Sequence, residues 1–266
     1  MTLPRIPLLD AKDHAAPSVF RPENLLREAR RQRNLPDGAV PPLCVLDPDG
    51  DLERHLLDSG LGRHDPAWAC YHTALVAFDL AGTRCGVVGR AVGAPFAVLV
   101  AEQLFASGCR LLVSVTSSGQ LVDAASGPYF ILIERALRDE GTSLHYLPPG
   151  RFAAADPALL DSIRPALDAA GPRVVSGVTW TTDAPYRETE TAIAAARAAG
   201  CHAVEMEAAA LYAFARARGR PVICFAHVTN QMAQVEGDFE KGEAGGAHDA
   251  LLLVAAIART VQEAQR

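Results

Sequence analysis

Two acidic residues, Glu205 and Glu207, interrupt an otherwise apolar run, VEMEAAALYAFA over residues 204–215. If the run is helical, the third, fourth and seventh residues after Glu207 are all apolar, so this carboxylate faces inward. A buried carboxylate needs hydrogen-bond donors, because burial without partners costs several kcal/mol. Those donors could be an arginine or backbone amides in a structural role. They could equally be the hydroxyls of a ligand, such as the cis-diol of a ribose.

A hydroxyl-rich turn follows an apolar run at residues 110–115, and it consists of Ser117, Ser118 and Gly119. Hydroxyls and backbone N–H groups at a glycine turn can bind an oxyanion or a sugar oxygen. An ordinary serine turn is the structural alternative. A denser polar stretch, residues 138–146, begins with Arg138 and could also be a turn that satisfies its own polar groups.

Two more polar clusters have side chains that suit a planar heterocycle. The first follows residues 174–179 and contains Trp180, Thr182, Asp183, Tyr186 and Arg187. It combines an aromatic surface with hydrogen-bonding groups, although a capped helix start has the same composition. The second contains Asn230, which can both donate to and accept from a base edge, or can simply occupy a turn.

Strand and helix patterns alternate along the chain. Strands are predicted at residues 43–46, 75–80, 85–88, 110–115, 129–134, 173–179 and 221–228. Helices are predicted at residues 25–33, 96–107, 157–170, 188–199 and 249–262, besides the run with the two acids. This alternation predicts one α/β domain with a mixed central β-sheet and helices on both faces. Residues 1–20 are predicted to be an arm, and residues 21–266 the catalytic domain.

Composition narrows the function classes. The 266 residues are 49% hydrophobic and 21% charged, with a net charge of -6. This acidic balance argues against nucleic acid or an anionic membrane as a partner and favours a small molecule. The six cysteines show no metal-type spacing and suggest buried thiols in a reducing cytoplasm, so no metal or organic cofactor is expected. The longest apolar run, residues 251–257, is too short to span a bilayer.

Read together, five stretches resemble the nucleoside phosphorylase superfamily, and in particular its uridine phosphorylase branch. They begin at Val92, Ser117, Arg138, Thr181 and Val204, and read VGAPFAVLVAEQLFASGCR, SSG, RDEGTSLHY, TTDAPYRE and VEMEAAAL. The resemblance covers roughly residues 45–260 and depends on the five occurring in order. It implies a single α/β domain, homo-oligomers built from dimers or a hexamer, and sites completed by a neighbouring subunit, to which the arm could contribute.

The resemblance also implies roles for individual residues. Met206 and Glu207 would hold the ribose hydroxyls, and a fixed carboxylate there favours the positive charge that develops on the sugar. Ser117 and Ser118 would lie near the nucleophile, while Asn230 and the stretch from Thr181 to Arg187 would contact the base. The implied reaction is cleavage of the N-glycosidic bond of a nucleoside, with phosphate as co-substrate.

The family's phosphate-binding arginines are absent from this chain. Asp47-Pro48-Asp49-Gly50 replaces the first arginine-bearing loop, Ser114 the second arginine, and Tyr71 lies near the third. Each charge-assisted contact is worth roughly 1.5–3 kcal/mol, so phosphate capture by the family's usual route is expected to fail. Arg90, Arg138 or Arg187 could supply the charge instead, and we expect phosphorolysis on overall similarity.

Two alternatives remain. Water could replace phosphate, with a loop aspartate such as Asp47 as its general base, which would make the protein a nucleosidase. The protein could also bind a nucleoside without turning it over. The base itself is not identified, because Thr189, Thr191 and Asn230 replace the residues with which relatives distinguish bases.

Overall fold

A computed structural model describes residues 6–123, 128–230, 236 and 239–264. The strands are β1 Leu43–Asp47, β2 Gly62–His64, β3 Val76–Leu80, β4 Thr83–Gly89, β5 Leu111–Gln120, β6 Tyr129–Asp139, β7 Phe152–Ala154, β8 Val174–Thr182, β9 Ala203–Glu205 and β10 Val222–Asn230. The helices are α1 Pro22–Arg33, α2 Asp51–Asp58, α3 Ala94–Ala106, α4 Pro157–Asp168, α5 Glu190–Ala198, α6 Ala208–Arg218 and α7 Ala247–Ala264.

The described strands form one mixed sheet that closes on itself over part of its width. Strand β5 pairs with β10, β10 with β6, β6 with β8, β8 with β9, and β9 returns to the end of β5. The sheet extends from the first half of β5 through β1, β4, β3 and β2. Strands β1, β4, β5 and β10 are mutually parallel, so their carboxyl ends lie at one edge.

The helices pack on the sheet in two groups. Helix α3 contacts α1 and α6, whereas α7 contacts α2 and α4. The 20 residues Glu243–Gln262 are long and apolar enough to cross a membrane by length and composition, but half of that stretch is buried within the fold. Core helices of folded domains pass the same test.

The strands and helices together confirm the predicted α/β domain with a mixed sheet.

The first described residues contact the body of their own chain. His14 Nε2 lies 3.2 Å from the carbonyl oxygen of Leu144, and Lys12 Nζ lies 3.0 Å from His145 Nδ1. Both contacts involve the short 3-10 helix Thr142–His145 that follows β6. The part of the predicted arm that the structure describes thus packs beside the polar stretch 138–146.

Several boundaries differ from the sequence predictions. Helix α2, Asp51–Asp58, lies where the sequence predicted no helix; it begins after Gly50, which takes a positive φ of 76°, and acidic residues lie in its first turn. The run at residues 204–215 is helical only from Ala208, since Ala203–Glu205 is strand β9. The prediction of one helix over the whole run was therefore wrong.

Candidate functional site

Glu207 lies at the centre of the candidate site, directly before α6. Glu207 is 1% exposed. Its Oε1 accepts a hydrogen bond of 2.7 Å from the backbone amide of Gly93, which lies between β4 and α3. The Met206 amide donates to Oε2 at 3.3 Å, and Thr116 also hydrogen bonds to the carboxyl. Burial raises the pKa of Glu207 to about 8, and the neighbouring Glu205 adds to this rise. The expected inward orientation is thus present, although helical spacing is not its cause.

Glu205 has a structural environment. Its carboxylate accepts hydrogen bonds from the hydroxyls of Thr179 and Thr181, at 2.9 and 2.5 Å, and from the amides of Glu207 and Ala208, both at 2.7 Å. The two amides belong to the start of α6, so Glu205 holds that helix end against β8. Burial raises the pKa of Glu205 as well. Donors of its own chain occupy the lone pairs of Glu205, so the structure favours the structural role over the substrate contact predicted for this residue.

Asp47 ends β1 and turns inward toward α2. It is 5% exposed, and its Oδ2 accepts the Glu53 amide at 3.0 Å. Burial raises the pKa of Asp47 to about 7, and the charge of Asp49 contributes in the same direction. This carboxylate satisfies the amino end of α2, and Asp47 also borders the small cavity that Asp49 and Ser117 line.

Asp49 contacts Ser117, which lies within β5; the turn predicted at residues 117–119 was wrong, because these residues continue the strand. Its Oδ1 accepts the Ser117 hydroxyl at 2.9 Å, and its Oδ2 accepts the Ser117 amide at 3.1 Å. Lys241 Nζ lies 3.3 Å from Asp49 and 2.6 Å from Asp51. The donors expected to cradle an oxyanion are therefore bound to a carboxylate of the same chain.

The neighbouring hydroxyl and amide positions are also occupied within the fold. The Ser118 hydroxyl donates to the carbonyl of His227 at 3.1 Å, and Gly119 pairs with both Val204 and Asn230 across the sheet. The Asn230 amide donates to the Thr229 hydroxyl at 3.1 Å. Ser118 and Gly119 thus fix the backbone of the site, while Asn230 ends β10 beside them.

Arg90 is the predicted arginine nearest this cluster. Its backbone takes a positive φ of 64°, and its amide donates to the Asp47 carbonyl at 2.9 Å. The guanidinium forms an ion pair with Glu53 and packs over Gly50. Its side chain is still 64% exposed, so Arg90 faces both an internal partner and solvent.

The predicted base-binding stretch divides into buried and exposed residues. Trp180 is 3% exposed, and its Nε1 donates to Asp139 at 2.9 Å. The prediction that its ring faces a heterocycle was wrong, because the ring packs among the apolar residues beneath α5. Thr182 is also buried and accepts the Ala184 amide.

The remaining residues of that stretch lie outside the core. Asp183 accepts the Gly141 amide at 2.8 Å, Arg187 is exposed, and Tyr186 is 99% exposed in the single chain. Arg138 donates three hydrogen bonds, to the Ser143 hydroxyl and to the carbonyls of Leu147 and Pro148. Arg138 therefore holds this loop together. This is the structural alternative, and it replaces the predicted contact with substrate.

Two residues that the sequence interpretation did not single out lie at this site. His227 is register partner to Ser117 in the adjacent strand, and Lys241 returns from the segment before α7. A small cavity lies between these elements. Its lining includes Ser117, His227, Gly246 and the three aspartates that end or follow β1, Asp47, Asp49 and Asp51. Only the pairing of β5 with β10 brings His227 there, so no local pattern in the sequence could identify it.

Comparison with known proteins shows the family to which the chain belongs. A profile of the Phosphorylase superfamily matches residues 54–261, so the chain belongs to that superfamily. No curated protein sequence matches the chain. Among solved structures, uridine phosphorylase from Vibrio fischeri is 22% identical, with a TM-score of 0.69 over 85% of this chain and 93% of that chain.

Two other similar structures are named as a phosphorylase and as a nucleosidase. Purine nucleoside phosphorylase from Toxoplasma gondii, in complex with immucillin-H, is 16% identical, with a TM-score of 0.71 over 86% of this chain and 93% of that chain. AMP nucleosidase from Bacteroides thetaiotaomicron is 20% identical, with a TM-score of 0.69 over 92% of this chain and 99% of that chain. At these identities the likeness establishes the fold, which includes both phosphorylases and a nucleosidase.

Proposed function

We propose that the protein hydrolyses the N-glycosidic bond of a nucleoside, with water rather than phosphate as the pentosyl acceptor. The observation that carries this proposal is the pair of hydrogen bonds between Asp49 and Ser117. A phosphate dianion at Ser117 would have to displace a carboxylate and lie beside two further acidic residues, Asp47 and Asp51. A water molecule meets no such repulsion and can give a proton to the carboxylate.

Each residue has a defined task in the proposed reaction. Glu207 and Met206 hold the ribose, and the fixed carboxylate favours the positive charge that builds on the sugar as the bond to the base lengthens. Asp49 accepts a proton from the water molecule as the water oxygen bonds to the anomeric carbon. The electron pair of the broken bond leaves with the base, whose pocket includes Asn230 and the exposed residues Asp183, Tyr186 and Arg187.

The absent phosphate arginines support the same conclusion. Ser114, at the second arginine position, lies within β5 and is 1% exposed. Tyr71, near the third, donates its hydroxyl to Gln32 at 2.7 Å. Replacement of three cations by neutral groups removes roughly 1.5–3 kcal/mol of binding for each charge-assisted contact. Phosphate would therefore bind weakly at the position that the family uses.

Phosphorolysis is the second candidate, and the cations near Ser117 favour it. Lys241 and Arg90 both lie next to the aspartate loop, but each already neutralises an acidic partner. Both candidates predict release of free base from a nucleoside. They differ in whether that release depends on phosphate.

The test follows base release from a panel of purine and pyrimidine nucleosides, with and without phosphate. We expect equal rates in both buffers, with free pentose as the product. Asp49→Asn should lower kcat about 10²-fold without creating a need for phosphate, since it removes the proton acceptor. Asp51→Asn, which also contacts Lys241 but not Ser117, is the matched control and should retain most activity.

Other outcomes identify the alternatives. Release only in phosphate, together with faster turnover by Asp49→Asn, would establish phosphorolysis. Nucleoside binding in calorimetry with no release from any substrate would establish the binding protein that lacks catalysis.

We further propose that the protein is a homo-oligomer in a reducing cytoplasm. Tyr186 at the base side and Val92 beside Gly93 are 99% and 52% exposed in the single chain, which suits surfaces that a second subunit covers. All six cysteines are free and buried. Light scattering coupled to size exclusion tests the assembly, and a monomer would contradict it.

A further inference from the structure

The ring of His227 is buried beside Ser117 and Asp49. The residue is 6% exposed, and its ring stacks on Phe130 with centroids 4.3 Å apart and planes inclined by 10°. Among the residues that the structure describes, its Nε2 has no hydrogen-bond partner. Leaving a buried polar atom unpaired costs about 1–3 kcal/mol, so a histidine at this place calls for a partner from outside the chain.

The cavity beside His227 has the size of one water molecule. About 20 Å³ is open to the centre of a water-sized sphere, and its walls include His227, Ser117, Asp49 and Gly246. Roughly 10–15 Å³ by this measure is enough for one water, which also needs two or more polar partners. Side chains of register partners project from the same face of a sheet, so His227 and Ser117 both border this space.

The charges around the ring favour a neutral imidazole. Burial lowers the pKa of His227 to about 4, against the opposing influence of Asp249 on α7 and of Asp49 and Asp51 after β1. Lys241 assists the lowering. Above that pH the imidazole is neutral, so one ring nitrogen can accept a hydrogen bond while the other carries a hydrogen and can donate one.

A metal ion does not fit the same space. Lys241 already neutralises Asp49 and Asp51, and within the described parts of the chain no group of three or more histidine, cysteine or acidic side chains has metal-binding geometry. The partner of His227 is therefore a small neutral molecule that can donate hydrogen bonds.

We propose that His227 is a catalytic residue that holds the attacking water through Nε2, a role that rests on the proposed hydrolysis. One water hydrogen points to His227 and the other to Asp49, which leaves an oxygen lone pair for the anomeric carbon. The new C–O bond forms as the C–N bond breaks, Asp49 takes the water proton, and the departing base keeps the bonding electrons. His227 neither gains nor loses a proton overall.

The test compares His227→Leu, which removes the nitrogen, with His227→Gln, which places an amide near the Nε2 position. His227→Leu should lower kcat about 10²-fold with unchanged KM, because the water and not the nucleoside loses a contact. His227→Gln should restore part of that loss. His202→Leu, which alters a histidine bonded to the Val178 amide and remote from this cavity, is the control for packing effects and should keep the wild-type kcat.

A second readout separates water placement from general damage. Each enzyme is assayed in buffer with added methanol, and methyl pentoside is measured against free pentose. The wild type should form almost none, because its cavity fits one water, whereas the smaller side chain of a His227→Ala variant should admit methanol and raise the ratio at least several-fold.

The outcomes separate the two proposals. Phosphate-independent release by the wild type together with an unchanged kcat and methanol ratio in all three His227 variants overturns the role of His227 and leaves the hydrolase standing. No release, or release only with phosphate, overturns both. Loss of kcat in His227→Leu with recovery in His227→Gln supports both.

Discussion

At the scale of single residues, the site depends on two adjacent buried acids with different surroundings. Glu205 accepts four hydrogen bonds from its own chain, whereas Glu207 keeps capacity for further donors and faces Met206 and Gly93. Two neighbouring buried carboxyl groups are poorly accommodated as two charges, and the four donors to Glu205 make it the better place for a negative charge. Glu207 then becomes the acid that responds to a ligand.

Replacing each acid by its amide should separate stability from activity. Glu205→Gln turns an acceptor oxygen into a donor that faces other donors, so the free energy of unfolding should fall by about 1–3 kcal/mol. Glu207→Gln should leave the fold intact and lower kcat/KM about 10²-fold or more, since it removes charge stabilisation of the sugar. Urea denaturation and steady-state kinetics measure the two effects. Equal stability losses in the two variants would contradict this division.

The raised pKa of Glu207 predicts a pH-dependent stability difference. Its pKa is about 8 when folded and 4.5 in the reference state, so the folded chain holds a proton that the unfolded chain releases between these values. The resulting stabilisation is complete below pH 4.5 and is lost as the pH rises to 8. Glu207→Gln lacks this loss, so its stability relative to wild type should increase by up to about 1.4 kcal/mol per pH unit in that window. A flat difference would count against the burial described.

At the scale of elements, the β4–α3 turn sets the position of Glu207. Gly93 has φ 86° and ψ 151°, a conformation that only glycine adopts readily, and its amide donates to the carboxylate. The sequence predicted the strand and helix around this turn, because their apolar runs are continuous. It could not predict the hydrogen bond, which joins residues 114 positions apart.

Gly93→Ala should therefore cost activity beyond its backbone strain. Gly171 has a positive φ of 102° and open space around it, so Gly171→Ala introduces strain away from the site. We expect both variants to lose about 1–2 kcal/mol of stability. Only Gly93→Ala should lose kcat/KM, by about 10²-fold, because the carboxylate shifts with its donor. Thermal unfolding and nucleoside cleavage assays check both expectations, and similar kinetics in the two variants would refute the link.

At the scale of the whole molecule, closure of the β5–β10–β6–β8–β9 ring brings the site together. Tyr212 on α6 supports this ring, since its hydroxyl donates to the Ile133 carbonyl at 2.6 Å and accepts the Cys224 amide at 3.1 Å. Strand and helix alternation was enough to predict the fold class. Ring closure, the short strands β2, β7 and β9, and the meeting of His227 with Ser117 all depend on pairing between distant segments, which one sequence does not encode locally.

Tyr212→Phe should weaken the whole fold. It leaves a carbonyl and an amide unpaired in the core, so the unfolding free energy should fall by about 2–4 kcal/mol. Tyr146→Phe is the matched control, because the Tyr146 hydroxyl donates one hydrogen bond of 3.1 Å to the partly exposed Glu102. Losing that bond should cost about 0.5–1.5 kcal/mol. Chemical denaturation monitored by fluorescence and circular dichroism measures both. Equal losses would show that Tyr212 is not a link between strands.

The contact between Asp49 and Ser117 has a metabolic meaning under the proposed function. Phosphorolysis conserves the energy of the glycosidic bond in a sugar phosphate and can run in reverse to build nucleosides. Transfer to water spends that energy and yields an unactivated sugar. Under that proposal the chain would thus catalyse degradation in one direction, at a rate independent of how much inorganic phosphate the cell contains.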